Sequence, residues 1–214
     1  MKKLLLSALA IASVSAPAFA QEKPDSAGFV FTDIKVVPTN SVKDQNKSGT
    51  CWSFSATSFF EDEILRKTGK SVDLSEMFTV RECYNDKADN YVRRYGVAQF
   101  SQGGSCPDIA YVWERYGAMP EEAYRGLNYG EDNHVHGELE SGLKAYLDVI
   151  VRKPNRRLST AWPVAKKGIL DAYFGEVPES FQYEGKTYTP KSFAESFPIN
   201  TDDYIGLTSF THHP

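Results

Sequence analysis

Apolar positions along this chain recur mostly every three to four residues, the spacing of one helix face. Trp52, Ala56, Phe59, Phe60 and Ile64 follow it and predict a helix over 51–68, with Gly69 placed to end it in a left-handed turn. A second helix is expected to start near Ser75, with Glu76 in its first turn, and to run towards Arg94. Pro107 suits the first turn of a third, closing at Gly117, because a missing N–H costs nothing there. Two more amphipathic stretches follow at 137–151 and 161–174, the latter with Pro163 in its first turn. Signals of period two are few. Residues 29–37 alternate enough for an extended segment, 181–189 with Glu184-Gly185-Lys186 at its centre predicts a hairpin, and 204–210 predicts a strand. The Gly-rich stretch 96–105 predicts a loop, 21–28 is polar, and no internal repeat is present. The fold class is α+β, weighted towards helix.

The N-terminus changes the picture of where such a chain works. Lys2-Lys3 form a basic start, residues 4–16 a mostly apolar core, and Ala18-Phe19-Ala20 a small-residue cleavage site. Residues 1–20 therefore predict a secretory signal peptide, too short to span a bilayer permanently. The mature chain begins at Gln21 and is exported, periplasmic or secreted, from a bacterial cell. Residues 21–214 are long enough for one domain with a sizeable core. The formal net charge of −4 becomes more negative once Lys2 and Lys3 leave, which argues against a nucleic-acid or anionic-membrane binder. The pairs Arg152-Lys153 and Arg156-Arg157 and the acidic run Glu61-Asp62-Glu63 are expected to be solvated surface. Three cysteines leave at least one without an internal partner. Cys83 and Cys106 either form a disulfide or, with Cys51, stay reduced.

Chemistry concentrates in residues 45–55, Gln-Asn-Lys-Ser-Gly-Thr-Cys-Trp-Ser-Phe-Ser. Cys51 opens the 51–68 helix, where unpaired backbone N–H groups favour a thiolate, the attacking form of sulfur. Thr50 is the expected N-cap. The Cys51 N–H and the Gln45 side-chain amide, six residues ahead, can converge on an oxyanion developing at an attacked carbonyl.

Gln45, Gly49, Cys51 and Trp52 together resemble the nucleophile segment of papain-like cysteine peptidases. The likeness continues through Ser101-Gln102-Gly103-Gly104, Pro107 to Val112 and Tyr116-Gly117-Ala118-Met119-Pro120. Within that superfamily the chain looks most like the aminopeptidase C and bleomycin hydrolase group. It carries Asn46-Lys47-Ser48-Gly49 where papain has a Cys-containing run, Asp73-Leu74-Ser75-Glu76 after the nucleophile helix, and a long helical stretch after Pro120. The resemblance implies a papain-like fold: the helical left lobe, a family insertion at about 121–200, and little of the right-lobe sheet. It implies a cysteine exopeptidase, an aminopeptidase, acting through a Cys51 acyl-enzyme. Gln45 is then the oxyanion donor, and Gly103, Gly104 and Trp52 are the substrate-binding residues. Peptides are the substrates, no cofactor or metal is required, and subunits assemble as hexamers. The positions of papain's disulfide in this region hold Ser48 and Ser101, so that bridge cannot form. A non-catalytic, exported peptide-binding module is the alternative.

A thiol nucleophile needs a His to take its proton and an Asn or Asp to orient that His. His134 and His136 fall in the stretch assigned to the insertion and are expected on the surface, without further ligands at a metal-binding spacing. His212 and His213 have only Pro214 after them, and Asn200 precedes both. The expectation is that base and Asn lie beyond Pro214, that this chain is an N-terminal portion, and that by itself it is inactive.

Overall fold

The computed structural model describes residues 29, 31–153 and 156–205. The described part of the segment up to Val36 forms one unit and contains no helix or paired strand. The rest, from Val37 onward, forms a second compact unit that holds every element named below. The signal peptide expected at 1–20, His212 and His213 lie outside the described residues, as does most of the strand expected at 204–210.

Helix α1 (Cys51–Thr68) ends as its sequence predicts: Gly69 takes a positive φ of 72° and returns its N–H to the Leu65 carbonyl at 2.8 Å. Helix α2 (Glu76–Arg93) is capped by Ser75, whose hydroxyl accepts from the Phe78 N–H at 3.0 Å. Helix α3 (Pro107–Arg115) stops short of Gly117, whose φ of 95° turns the chain out of the helix. Helices α4 (Gly137–Val151) and α5 (Trp162–Phe174) fall where the apolar spacing put them.

Helix α2 is the hub, packing against α1, α3, α4 and α5. Val80, Tyr84 and Ala88 of α2 are buried with Phe60 and Ile64 of α1, Val112 of α3, Leu139, Leu143 and Leu147 of α4 and Leu170 of α5. The sheet among the described residues is one antiparallel hairpin, β1 (Phe181–Tyr183) with β2 (Lys186–Tyr188), joined through Glu184 and Gly185 at φ of 47° and 77°. A short helix α6 (Pro190–Glu195) follows, closed by a reciprocal capping box between Thr189 and Ser192. It buries Phe193 against Phe181, Tyr183 and Tyr188. The periodicity missed α6 because six residues are too few to show a helical repeat. A 3-10 turn at Thr201–Asp203 packs near α3. No helix of the described residues is long and apolar enough to cross a membrane.

Two surface expectations are overturned. Glu61 is 1 % exposed, because Lys43 reaches over α1 and bonds its carboxylate at 3.0 Å. His136 is also 1 % exposed: its ring lies edge-on to Tyr84 and Phe174. Its segment is drawn in by backbone pairing, Lys47 N to the His134 carbonyl at 2.9 Å and His136 N to the Lys47 carbonyl at 3.4 Å.

Candidate active site

The loop before α1 is closed on itself by short polar links. Asn46 adopts φ of 55°, a left-handed conformation that Asn tolerates. The Asp44 carboxylate accepts the Asn46 N–H at 2.8 Å to hold it. Ser48 donates its hydroxyl to the Gln45 carbonyl at 2.7 Å, so the 2.5 Å contact between Ser48 Oγ and Thr50 Oγ1 has Thr50 as donor. Thr50 thus occupies the N-cap position but caps nothing with its side chain, contrary to expectation. Its hydroxyl is committed to Ser48.

Cys51 is the first residue of α1 and is exposed. Its backbone N–H belongs to the first turn, where no intrahelical acceptor exists. Gln45, half-buried, lies on the same loop, with its Nε2 donating to the Ser48 carbonyl at 2.5 Å. An amide carries a second hydrogen, which leaves one donor for an oxyanion.

Beside this loop runs the Gly103-Gly104 segment. Gly104 must be glycine: a Cβ there would lie 2.5 Å from Trp52 Cε2 and 2.9 Å from Asp108 Oδ2. A Cβ on Gly103 would meet nothing nearer than 3.8 Å. Both are exposed, as a surface that pairs with an extended peptide requires. Trp52 differs from expectation. Its side chain is 5 % exposed and packs beneath Gly104, with Nε1 donating to the Gln102 carbonyl at 3.0 Å. It supports the loop from below. Lys87 of α2 binds the same loop, donating to the Ser101 carbonyl at 2.8 Å and to the Gly103 carbonyl.

The remaining cysteines are not bridged. Cys83 is buried within α2 and Cys106 is exposed at the start of α3, all three thiols being free. Burial pushes the Cys83 thiol up to about 12, which leaves it inert at neutral pH. Of the described histidines, His136 has neither ring nitrogen hydrogen-bonded and His134 has a buried, unpartnered Nδ1. Burial, and then His134, depress His136 to about 4, so it stays neutral. Among the described residues, no group of three or more His, Cys, Asp and Glu side chains is arranged to hold a metal.

Gln102 carries a role that the sequence reading did not assign. It tethers Gly49, Trp52 and Glu140 at once. The available signal was an amide, both donor and acceptor, directly before the Gly-Gly pair.

Sequence comparison matches residues 31–198 to the papain family cysteine proteases. The chain belongs to this family. A cathepsin L-like peptidase of Aedes aegypti is 31% identical over 161 residues, covering 72% of this chain and 43% of that protein. Testin-2 of Mus musculus is 28% identical over 153 residues, covering 70% and 42%. Among solved structures, PepW from Lactobacillus rhamnosis HN001 (DR20) superposes with a TM-score of 0.53 at 21% identity, covering 78% of this chain and 46% of PepW. The chain thus spans less than half the length of these proteins. Its papain-family fold is the mainly helical lobe, with sheet among the described residues limited to the β1–β2 hairpin.

Proposed function

We propose that this papain-family chain supplies the nucleophile and one wall of the substrate groove of a secreted or periplasmic bacterial aminopeptidase. The observation that carries the reading is the exposed Cys51 thiol at the first position of α1, with Gln45 on the loop before it and exposed Gly103-Gly104 backbone beside it. Cys51 attacks the peptide carbonyl, and its own N–H and the free hydrogen of the Gln45 amide bind the oxyanion. The amine departs with a proton and water releases the acyl group. The step needs an imidazole to take the thiol proton and an Asn or Asp to orient it. The stretch from about 121 to 200 is a family insertion, and the subunits assemble as hexamers.

The test uses the protein at its full natural length. It should hydrolyse peptides with a free N-terminus and spare the same peptides when acetylated. C51A should abolish turnover, and Q45A should lower kcat by about 10²-fold or more, the usual effect of losing one oxyanion donor. Hydrolysis that survives C51A overturns the nucleophile, and equal cleavage of acetylated peptides overturns the aminopeptidase reading. One contact favours a second reading, a non-catalytic peptide-binding module: one of the two Gln45 amide hydrogens is committed to the Ser48 carbonyl. That reading requires peptide binding without turnover.

A further inference from the structure

Gln102 is half-buried and meets partners from four segments of the chain. Its Oε1 accepts the Gly49 N–H at 2.7 Å, and its Nε2 donates to Glu140 Oε2 on α4 at 2.6 Å. Its carbonyl accepts from Trp52 Nε1 at 3.0 Å and from the Tyr84 hydroxyl at 3.4 Å. Only one orientation of the amide serves both side-chain partners, since a backbone N–H requires the oxygen and a carboxylate requires the NH2. The Glu140 charge polarises that amide and makes its oxygen the stronger acceptor for Gly49.

The position of Gly49 gives this contact its reach. It stands two residues before Cys51, and a Cβ on it would lie 3.0 Å from Gln102 Cβ. The close approach therefore depends on the missing side chain. The same loop is held at Lys47 by backbone bonds to His134 and His136, at the start of α4. The segment that carries Gln45 and Cys51 is thus anchored at residues 47 and 49, and both anchors lead to α4.

We propose that Gln102 is a positioning residue for the Cys51 nucleophile and that Glu140 sets its amide, so that α4 controls the placement of the loop carrying Gln45 and Cys51. This rests on the assignment of Cys51 as nucleophile. Two hydrogen bonds, from Gly49 and from Trp52 to Gln102, join here without a covalent link the segments that a disulfide between the Ser48 and Ser101 positions would join. The α4 contact makes the arrangement responsive to anything that moves that helix.

Iodoacetamide alkylation followed by mass spectrometry tests the proposal on the protein at full natural length, with exposed Cys106 as internal reference. Wild-type Cys51 should react much faster than Cys106. Q102A should lower the Cys51 to Cys106 rate ratio about tenfold and move the midpoint of its pH profile upward, in line with one lost positioning hydrogen bond. E140A should act in the same direction by about threefold, because Gln102 then keeps Gly49 but loses its own anchor. Q102E combined with E140Q exchanges donor and acceptor and should restore the ratio to within about twofold, while Q102E alone sets two carboxylates together and should not. If wild-type Cys51 reacts no faster than Cys106, the nucleophile assignment falls and takes the positioning role with it. If wild-type Cys51 is fast, and Q102A unfolds cooperatively with ratio and midpoint unchanged, the nucleophile stands and the positioning role is overturned.

Discussion

Protonating His136 would put a charge between the rings of Tyr84 and Phe174 with no acceptor for either N–H. The groups facing it that can titrate are His134 on its own segment and Tyr84 on α2. Burial holds it at about 4 against 6.5 for a free imidazole. Between those values the unfolded chain binds the proton and the folded chain does not, so stability falls as pH drops from 6.5 to 4 and levels off below. The loss from this one residue is on the order of 3 kcal/mol. Glu121 works in the opposite sense: burial, then Glu76 and Asp73, raise it to about 8, and its stabilisation fades as pH rises towards that value. H136F keeps the aromatic packing and removes the titration. Its unfolding free energy, measured from pH 7 to pH 4 in urea, should fall less than that of wild type; equal slopes would show that His136 is not the acid-labile group. The sequence placed this histidine on the surface because a polar neighbourhood in the chain says nothing about the Lys47 pairing that draws it inward.

At the scale of the element, α1 is secured by a charge cluster. Lys43 Nζ bonds Glu61 at 3.0 Å, Glu76 at 2.7 Å and Asp73 at 2.6 Å, joining the incoming loop to α1 and α2. Burial alone would lower Lys43, but Glu76, Asp73 and Glu61 outweigh it and keep the ammonium charged across the whole working range. Glu61 and Glu76, 1 % and 4 % exposed, depend on it. K43M should destabilise the protein by about 3–5 kcal/mol in urea unfolding, the cost of stranding buried carboxylates. E61Q added to K43M should recover part of that loss; a change below about 1 kcal/mol for K43M would mean water replaces the lysine. The bounds of α1 were legible from Trp52, Phe60, Ile64 and Gly69. Its acidic run was misread, since Glu61 and Asp62 differ only in which side of the helix faces Lys43.

At the scale of the molecule, an apolar cleft of about 550 Å³ opens between α1 and α3, with Phe59, Ile109 and Tyr204 on its walls. Phe59 is 50% exposed and meets Tyr204 edge-on at 5.6 Å. Exposed apolar surface of this kind binds hydrophobic dyes and favours association. The 214-residue chain should therefore enhance anilinonaphthalene sulfonate fluorescence, and F59S should lower the signal by about half. A cooperatively folded chain that binds no dye would contradict this.

What the sequence by itself determined is local. Periodicity, caps and glycines place α1 to α5 and the hairpin to within a residue or two, because those signals act between neighbours in the chain. The residue types at 45–55 single out Cys51 as the candidate nucleophile for the same reason. Tertiary structure alone decided that Trp52 packs beneath Gly104, that Thr50 bonds Ser48 rather than capping α1, and that Glu61 and His136 are interior. It also decided that Gln102 joins Gly49 to Glu140 across about forty to fifty residues of sequence. Each of those outcomes depends on which distant segment arrives to fill a hydrogen bond or cover a ring, and a linear pattern holds no record of that.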